Sequence, residues 1–429
     1  MVISEPSIWR SGAFVRLWAA STISYFGSFI TRTALPFAAI LVLGAGPLEI
    51  SALRSVEMLG WLVFGLFAGA WVDRLRRRPI MIVADLGRAV LLGSIPVAAL
   101  AGALGLPQLL IVAFLAAILS TFFDTASVAY LPTVIEKGRL IVANSALTAS
   151  ASVAEFTGFG ISGFLIQILT APIAIAFDAL SFVASAVLLA TVRREEPPRP
   201  AIVDREPILD EVRAGWRVVR GSPILRAIAA AHSANHVLWG VFSTTYLLFA
   251  TRDLGLGPGA IGLITALGGA GSFVGAAVAG RLAKRLGLGR SMLLGLLGLS
   301  VGSALIPLAP SGAILVGAIF LVGQQVIGDS TGTIYGILET SLTQSIVDGR
   351  VLGRVNATVE LFTTLLALVG SIGGGIVAEV FGLRTALAVG VLGGATAIIF
   401  IWFSPIRTMR TPPDLVLAPL TPEEAPLTE

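Results

Sequence analysis

Long apolar runs separated by short polar connections fill the chain between residues 17 and 404. Each run holds roughly 18 to 28 residues, enough for a helix to cross a hydrocarbon core of about 30 Å. The runs are continuous where the strands of a membrane barrel would alternate, and a helix satisfies its own backbone groups in lipid. The pattern therefore predicts an all-α integral membrane protein with twelve transmembrane helices, at residues 17–43, 50–72, 80–102, 108–130, 143–169, 173–192, 224–250, 260–282, 291–309, 313–338, 355–381 and 385–404.

A charged, proline-rich stretch that contains the sequence REEPPRP separates six of these predicted helices from the other six. Such a composition is typical of a linker and not of a membrane span. We therefore expect four parts, namely an N-terminal six-helix bundle at 1–192, a cytoplasmic linker at 193–222, a C-terminal six-helix bundle at 223–404 and a disordered cytoplasmic tail at 405–429.

The second half of the linker has its own periodicity. Apolar residues recur there at helical spacing, and arginines occupy the opposite face; the apolar positions are Ile208, Val212, Trp216 and Val219. This pattern predicts an amphipathic helix that lies on the inner membrane surface. A helix that binds a calmodulin-like partner is the alternative.

Basic residues concentrate in the N-terminus, the even-numbered connections and the C-terminal tail, whereas the odd-numbered connections hold only Arg252 and Arg384. Under the positive-inside rule, this asymmetry places both termini in the cytoplasm of a multi-pass inner or plasma membrane protein. The cations are therefore interpreted as topology determinants that face the lipid headgroups, and no nucleic-acid partner is expected.

The two halves of the chain are related by an internal repeat. A shift of 211 positions aligns Gly46 with Gly257, Gly69 with Gly280 and Arg74 with Arg285. Together with the matching order of spans and basic connections, this offset predicts two parallel six-helix repeats related by an axis along the membrane normal. A cavity between such halves can open to each side of the membrane in turn, which is the architecture of a transporter.

Composition excludes several classes of protein. Hydrophobic residues make up 55% of the chain and charged residues 13%, a balance that no water-soluble globular fold has. The chain has no cysteine, so disulfides, thiol nucleophiles and thiolate metal sites are absent. It also lacks the phosphate-binding, metalloprotease and serine-hydrolase motifs. We therefore expect no enzyme activity and no cofactor, and transport would be driven by an ion gradient or by the substrate's own gradient.

The second and third predicted helices are joined by the sequence GAWVDRLRRRP, which begins at Gly69. Asp73 is expected to accept hydrogen bonds from N–H groups at the start of the third helix. Gly65 and Gly69, four residues apart, would let a neighbouring helix approach closely. We predict that a charge-assisted contact between Asp73 and Arg354 of the second half closes an inner gate. A plain hairpin turn that carries a topology signal is the alternative.

This connection resembles the loop 2-3 motif of the major facilitator superfamily through Gly69, Asp73, Arg74, Arg77 and Arg78, with Arg76 where glycine is usual. Residues 280–285 resemble the weaker second copy of that motif. The sequences FFDTASVAYLP, GRLIVANSAL and FDALSFVASA resemble the branch that contains the enterobactin exporter and macrolide and multidrug exporters. The resemblance covers essentially the whole chain and implies a monomeric transporter with the major facilitator fold.

Two positions depart from the pattern of proton-coupled exporters. The fourth helix lacks the arginine that many of them carry and has Asp124 as its only charge, and the glycine-rich stretch from Gly158 to Gly163 lacks the usual proline. The resemblance implies that the first, fourth, seventh and tenth helices line the substrate cavity. Polar residues on these helices are the cavity candidates, namely Arg32, His232, Asn235, His236, Gln324 and Gln325.

Ionisable residues within the predicted spans are candidates for chemistry, because a charge at the bilayer centre costs about 3 kcal/mol. Glu155 is the first choice for proton coupling and Asp329 the second. Asp124 is either a third coupling acid or part of the inner gate. Arg32 either binds an anionic group or forms a structural pair with Glu155 or Asp329. Glu339 and Glu360 lie near inner helix ends, where gate contacts or solvent are expected.

Other polar residues have local interpretations. Spacing of three residues predicts salt bridges between Arg54 and Glu57 and between Asp85 and Arg88. His232 and His236, four apart, share a helix face that could ligate a metal. No third ligand is evident for them, so no metal site is predicted and a proton relay or a hydrogen bond to substrate is favoured.

These features favour a proton-coupled secondary transporter that exports a small amphipathic molecule, such as a drug or siderophore, by rocking of its two halves. An uptake permease or lysolipid flippase of the same fold is the first alternative. A membrane-embedded enzyme that modifies lipids and a non-transporting sensor or scaffold are the others. The expected partners are the substrate, protons and the lipid bilayer.

Overall fold

The structure, a computed structural model, describes residues 8–194, 196 and 208–413. For eight residues inside these ranges it describes the backbone alone, namely Leu66, Ala70, Asp73, Lys137, Ile208, Leu209, Glu211 and Arg350. The rest of the predicted linker and residues 414–429 of the predicted tail lie outside the described part of the chain.

The described residues form fourteen α-helices joined by short connections: α1 Gly12–Phe37, α2 Pro47–Arg74, α3 Arg77–Leu100, α4 Leu106–Val134, α5 Leu140–Leu169, α6 Ala171–Ala190, α7 Ile208–Gly221, α8 Pro223–Leu248, α9 Pro258–Leu286, α10 Leu288–Leu308, α11 Ile314–Gln324, α12 Ser330–Ile346, α13 Gly349–Phe381 and α14 Leu383–Trp402. Three π-helical turns extend or join them, at Ala38–Val42, Phe249–Asp253 and Gln325–Asp329. Short 3-10 helices lie at Ile8–Arg10, Lys137–Arg139 and Pro405–Thr408.

Ten helical segments of the described chain are long and apolar enough to cross a membrane, and α11 and α12 count as one segment because the π turn joins them. The helices α2 and α8 are not among these ten segments, but they have 28 and 26 residues and alternate with the apolar spans. A helix of that length reaches about 40 Å, which exceeds the hydrocarbon thickness. The twelve predicted membrane helices are therefore confirmed, the tenth of them with a π turn inside it.

The internal repeat predicted from the sequence is confirmed by the backbone. A shift of 211 residues carries the π turn after α1 onto the π turn after α8. The same shift carries Gly44 onto Gly255, both with φ close to +70°, and the first residue of α2, Pro47, onto the first residue of α9, Pro258. Glycine suits such a backbone and proline suits a first helical turn. In both copies, therefore, the first helix ends in a π turn and the second begins at a proline, with a glycine of positive φ between them.

The chain divides into two compact units, of which unit 1 comprises residues 1–203 and 244–266. Within it, α6 packs on α1 and α3, and α4 packs on α2 and α3. Its core includes Phe14, Met81, Phe123 and Tyr130, all at most 1% exposed. Burial of these large side chains fixes the α1, α3 and α4 helices relative to one another.

The segment 244–266 joins unit 1 through backbone contacts. Arg252 donates from Nη2 to the carbonyl oxygens of Gly44 and Ala45, at 3.0 and 2.7 Å. Gly163 of α5 faces Gly262 of α9, and a Cβ at Gly163 would lie 2.8 Å from the Gly262 Cα. The two helices cross this closely only because both positions lack a side chain.

Unit 2 comprises residues 204–243 and 267–429. Here α10 packs on α12 and α14, and α13 packs on α7 and α14. The core includes Met292, Leu296, Tyr335 and Leu342. The first residues of the predicted tail are part of this unit, because the backbone N–H groups of Leu288 and Gly289 donate to carbonyls of residues 409 and 410.

The predicted amphipathic helix exists as α7, and it packs against α13. A Cβ at Gly215 would lie 2.5 Å from the carbonyl oxygen of Arg354, so α7 touches the α13 backbone directly. The rings of Trp216 and Phe362 are 4.9 Å apart, and Val219 is buried. The sequence predicted a helix whose apolar face lies on the membrane surface; in the structure, residues of that face contact α13 and the core of unit 2.

Thr170, between α5 and α6, has φ +89° and ψ +155°, a conformation that is essentially restricted to glycine. Gly382, one residue beyond the 211-residue offset, occupies the equivalent point between α13 and α14, with φ +90°. We expect Thr170→Gly to stabilise the protein by about 1 kcal/mol, because the strain of a β-branched residue is removed. Thermal unfolding of purified protein in detergent measures this. Gly382→Thr is the reverse control and should destabilise; a lower melting temperature for Thr170→Gly would contradict the expectation.

Candidate functional site

The connection between α2 and α3 holds the residues predicted to form an inner gate. The side chain of Asp73 lies outside the described part of the structure. A Cβ at Gly69 would meet no described atom within 4 Å, whereas a Cβ at Gly65 would lie 3.9 Å from Thr121 Cγ2 on α4. The close helix approach predicted for this pair of glycines stays a prediction. Arg74 is exposed, and Arg77 and Arg78 are half-buried.

The start of α3 is capped by Glu196, which follows α6. The backbone N–H groups of Arg77 and Arg78 donate to its two carboxylate oxygens at 2.9 and 3.0 Å. The Arg78 side chain in turn donates to the backbone carbonyls of Leu189 and Ala190 at the end of α6. An anion at a helix N-terminus and a cation at a helix C-terminus both interact favourably with the helix dipole. Glu196 therefore satisfies N–H groups that the sequence had assigned to Asp73.

A buried ion pair lies deeper in unit 1. Arg88 and Asp85, both on α3, form the predicted salt bridge and are 3% and 0% exposed. The Arg88 guanidinium also stacks on two rings, with its Cζ 4.6 Å from the centroid of Phe123 and 4.0 Å from that of Phe182. These contacts compensate the charge inside the bundle.

Asp124, one of the three predicted coupling acids, lies near this pair. Arg88, Asp85 and Tyr25 interact with it electrostatically. Its side chain is exposed at the surface of unit 1. Arg88 therefore provides the positive charge near Asp124.

Arg32 lies in a second charged group of unit 1. It interacts electrostatically with Arg54, Glu57 and Glu155, and its Cζ lies 6.0 Å from the ring centroid of Phe29. Arg54 and Glu57 form the predicted salt bridge at 2.9 Å. Arg32 and Glu155 are both exposed and form no direct ion pair among the described contacts. The group thus combines two exposed charges, Arg32 and Glu155, with the half-buried pair of Arg54 and Glu57.

In unit 2, three of the predicted residues lie at the junction of α11 and α12: Gln324 ends α11, and Gln325 and Asp329 are the first and last residues of the π turn. Gln324 and Gln325 are both 7% exposed, and Asp329 is half-buried. The Asp329 carboxylate and the Gln325 amide lie against the Cα of Gly268 on α9, where a side chain would clash with both. A π turn at such a place is frequent at functional sites. Gly268 therefore provides the space that these two side chains occupy.

Unit 2 also contains a cavity of about 290 Å³, near the lower end of the range for small-molecule sites. Its wall combines apolar side chains from α7, α8 and α13 with polar ones from α8, α12 and α13. The residues are Val219, Leu225, Ile228, His232, Glu339, Thr340, Thr343, Gln344, Val355, Asn356, Val359 and Glu360.

The closest charged contact at this cavity joins α8 to α12. His232 Nδ1 lies 2.8 Å from Glu339 Oε1, and their side chains are 29% and 11% exposed. Glu339 was expected near a helix end, in solvent or at a gate; the structure instead buries it against His232. The predicted span ended at residue 338, whereas α12 continues to Ile346. A longer reading of the tenth helix would have placed Glu339 inside it.

His236 lies one turn further along α8. Its ring stacks on that of His232 with centroids 4.4 Å apart and an angle of 29° between the planes. Its Nδ1 lies 2.9 Å from the His232 carbonyl oxygen and therefore donates to it. Two positively charged rings at this separation would repel by about 4 kcal/mol at an effective dielectric constant of about 20.

Asn235 lies between the two histidines and is half-buried. The described residues contain no group of three or more histidine, cysteine or acidic side chains that could hold a metal ion. For the histidine pair itself, the structure shows ring stacking and the hydrogen bond from His236 to the His232 carbonyl.

Replacing Arg88 tests how unit 1 tolerates its buried charges. Arg88→Met leaves Asp85 unpaired in an apolar core and should lower the free energy of unfolding by about 3 to 5 kcal/mol. The double variant Asp85→Asn with Arg88→Met removes both charges and should recover most of this loss. Thermal or denaturant unfolding in detergent measures both. Equal destabilisation by the single and double variants would show that packing, and not charge pairing, accounts for the loss.

The chain is similar in sequence to known membrane transporters. The sequence profile described as Major Facilitator Superfamily matches residues 17–337 and 228–428. The MFS-type transporter YfiS of Bacillus subtilis (strain 168) is 24% identical over 396 residues, which cover 90% of this chain and 92% of YfiS. The multidrug efflux pump Tap of Mycolicibacterium fortuitum is 30% identical over 227 residues, or 51% of this chain and 55% of Tap.

Solved structures share the fold. The nucleoside transporter NupG superposes with a TM-score of 0.73 at 10% identity, over 91% of this chain and 99% of NupG. A bacterial homologue of the iron transporter ferroportin, in its inward-facing state, gives a TM-score of 0.72 at 18% identity, over 92% of this chain and 99% of that chain. At these identities the similarity concerns the fold alone.

Proposed function

Because the chain belongs to the major facilitator superfamily, we propose that this multi-pass membrane transporter exports a small amphipathic molecule in exchange for protons. The substrate site opens to one side of the membrane at a time, and no nucleotide is consumed. The protein acts as a monomer in the plasma membrane, and both termini are cytoplasmic, in keeping with the distribution of its basic residues.

The observation that carries proton coupling is the presence of accessible carboxylates within membrane-spanning helices. Asp124 and Glu155 are exposed, Asp329 is half-buried, and Glu360 lines the cavity of unit 2. A charge retained inside a bilayer is costly and is usually kept for a function. Carboxylates that can reach water in this setting are suited to take up and release protons.

Similarity to Tap supports export over uptake, since Tap is a multidrug efflux pump that matches half of this chain at 30% identity. The cavity of unit 2 supports an amphipathic cargo. Five of its twelve lining residues are valine, leucine or isoleucine, and the others offer carboxylate, hydroxyl, amide and imidazole groups. Such a mixture binds an apolar body and fixes a polar end.

Everted membrane vesicles with an acidic interior test the proposal. Ethidium, a fluorescent amphipathic cation, should accumulate inside vesicles that contain the protein, because outward proton flow drives its entry into the lumen. An uncoupler should reduce accumulation to the level of vesicles without the protein. Fluorescence follows both.

Glu379→Gln on α13 is the matched control, because Glu379 is exposed and does not line the cavity. Ethidium movement that is insensitive to the uncoupler would rule out proton coupling. Loss of uncoupler-sensitive movement in Glu155→Gln, Asp329→Asn or Asp124→Asn, but not in Glu379→Gln, would identify that acid as the coupling residue. Lowered cellular accumulation of ethidium on deletion of the gene would indicate uptake instead of export.

A further inference from the structure

We propose that His232 and Glu339 together bind the coupling proton. The role of this proton in transport rests on the proposed function, but its binding site rests on the geometry of unit 2 alone. The site differs from the three acids favoured by the sequence, which lie on α4, α5 and the π turn of unit 2.

The first argument is the contact itself. Nδ1 of His232 donates to the Glu339 carboxylate at 2.8 Å, so Nε2 is the nitrogen left to exchange a proton. A proton arriving from cavity water binds at Nε2 and makes the ring a cation beside the carboxylate. Its departure returns a neutral ring that still donates from Nδ1. The hydrogen bond is kept in both states, so proton exchange needs no rearrangement of the pair.

The second argument is access. His232 lines the cavity and its side chain is 29% exposed, whereas Glu339 is nearly buried behind it. Water therefore reaches the imidazole, and the carboxylate stays in a position where its charge is weakly screened. This is the arrangement expected of a proton acceptor with a fixed counter-charge.

The third argument is that the two histidines together take up only one proton. His236 stacks on His232, and a charge on one ring opposes a charge on the other. The histidine pair thus holds a single positive charge, as a fixed stoichiometry of exchange requires.

The charged and titratable groups that face the pair come from three helices. His236 lies on α8, Tyr335 on α12 interacts electrostatically with Glu339, and Glu360 on α13 interacts electrostatically with both histidines. From α7, Val219 lines the cavity. Glu360 is exposed and therefore adds a more weakly coupled negative charge than Glu339 does.

The pair also ties two helices together. His232 lies on α8 and Glu339 on α12, and the cavity opens beside them. Protonation turns a hydrogen bond with one charged partner into an ion pair, which is stronger. Binding and release of the proton would thereby tighten and loosen the α8–α12 wall of the cavity.

Nitrogen-15 NMR of labelled histidine tests the site directly, because the chain has only two histidines. The full chain is purified in detergent with an affinity tag that contains no histidine, and His236→Gln assigns the two ring signals. We expect the His232 ring to gain one proton as the pH falls, at a pH where His236 is still neutral. In Glu339→Gln, proton binding at His232 should be weaker by about tenfold or more.

Asp329→Asn and Glu379→Gln are the controls and should leave the His232 titration unchanged. A His232 ring that titrates identically in Glu339→Gln and wild type would overturn the proposal. So would simultaneous protonation of both rings. These results do not depend on any transported substrate.

Proteoliposomes then test coupling, with ethidium as the probe. Glu339→Gln should lose accumulation driven by a pH gradient but retain ethidium counterflow, which needs no net proton movement. Loss of both would show that Glu339 acts in binding or folding and would overturn the coupling role. Loss of the gradient response in Glu155→Gln or Asp329→Asn, but not in Glu339→Gln, would place the proton elsewhere and leave the proposed function intact. Wild-type movement indifferent to an uncoupler would instead defeat the proposed function, whatever the NMR result.

Discussion

The need to compensate every charge within an apolar bundle governs the polar architecture of this protein. Arg88 meets this need with Asp85 and two aromatic rings, and Arg78 with the carbonyl groups that end α6. His232 meets it with Glu339. In each case the partner comes from within the same compact unit. Arg32 and Glu155, by contrast, are exposed and form no direct ion pair among the described contacts.

The internal repeat duplicates the helices but not the chemistry. The repeat offset of 211 residues relates His232 to Ser21 and His236 to Tyr25, so the first half has no histidine at these positions. Asp124 of the first half corresponds to Tyr335 of the second. Shared helix boundaries depend on turn residues such as Gly44 and Gly255, which are insensitive to what the helix faces carry. The two halves could therefore diverge in function while keeping one backbone plan.

The length of the apolar runs was sufficient to predict the twelve spans, because the hydrocarbon thickness sets a length that a sequence must match. Helical spacing of apolar residues was sufficient to predict the helix at Ile208–Gly221. Spacing of three residues was sufficient for the two local salt bridges. Both signals are contained in a few adjacent turns of one helix.

Contacts between distant segments could not be predicted in this way. Glu196 caps α3 from more than a hundred residues away, and Glu339 reaches His232 across a similar separation. A contact between residues so far apart produces no periodic pattern in a single sequence. The packing of α7 on α13 could not be predicted either, because an apolar helix face can bind a lipid surface or a neighbouring helix equally well.

The π turn at Gln325–Asp329 has a geometric consequence for the far end of its helix. A π turn accommodates one residue more than an α-helical turn, and each residue of an α-helix advances by about 100° around the axis. The extra residue therefore determines the direction in which each side chain of α12 points around the helix axis. Deleting one residue of the turn would rotate Glu339 about the helix axis, away from the His232 imidazole and toward a different neighbour. The carboxylate itself would be unchanged.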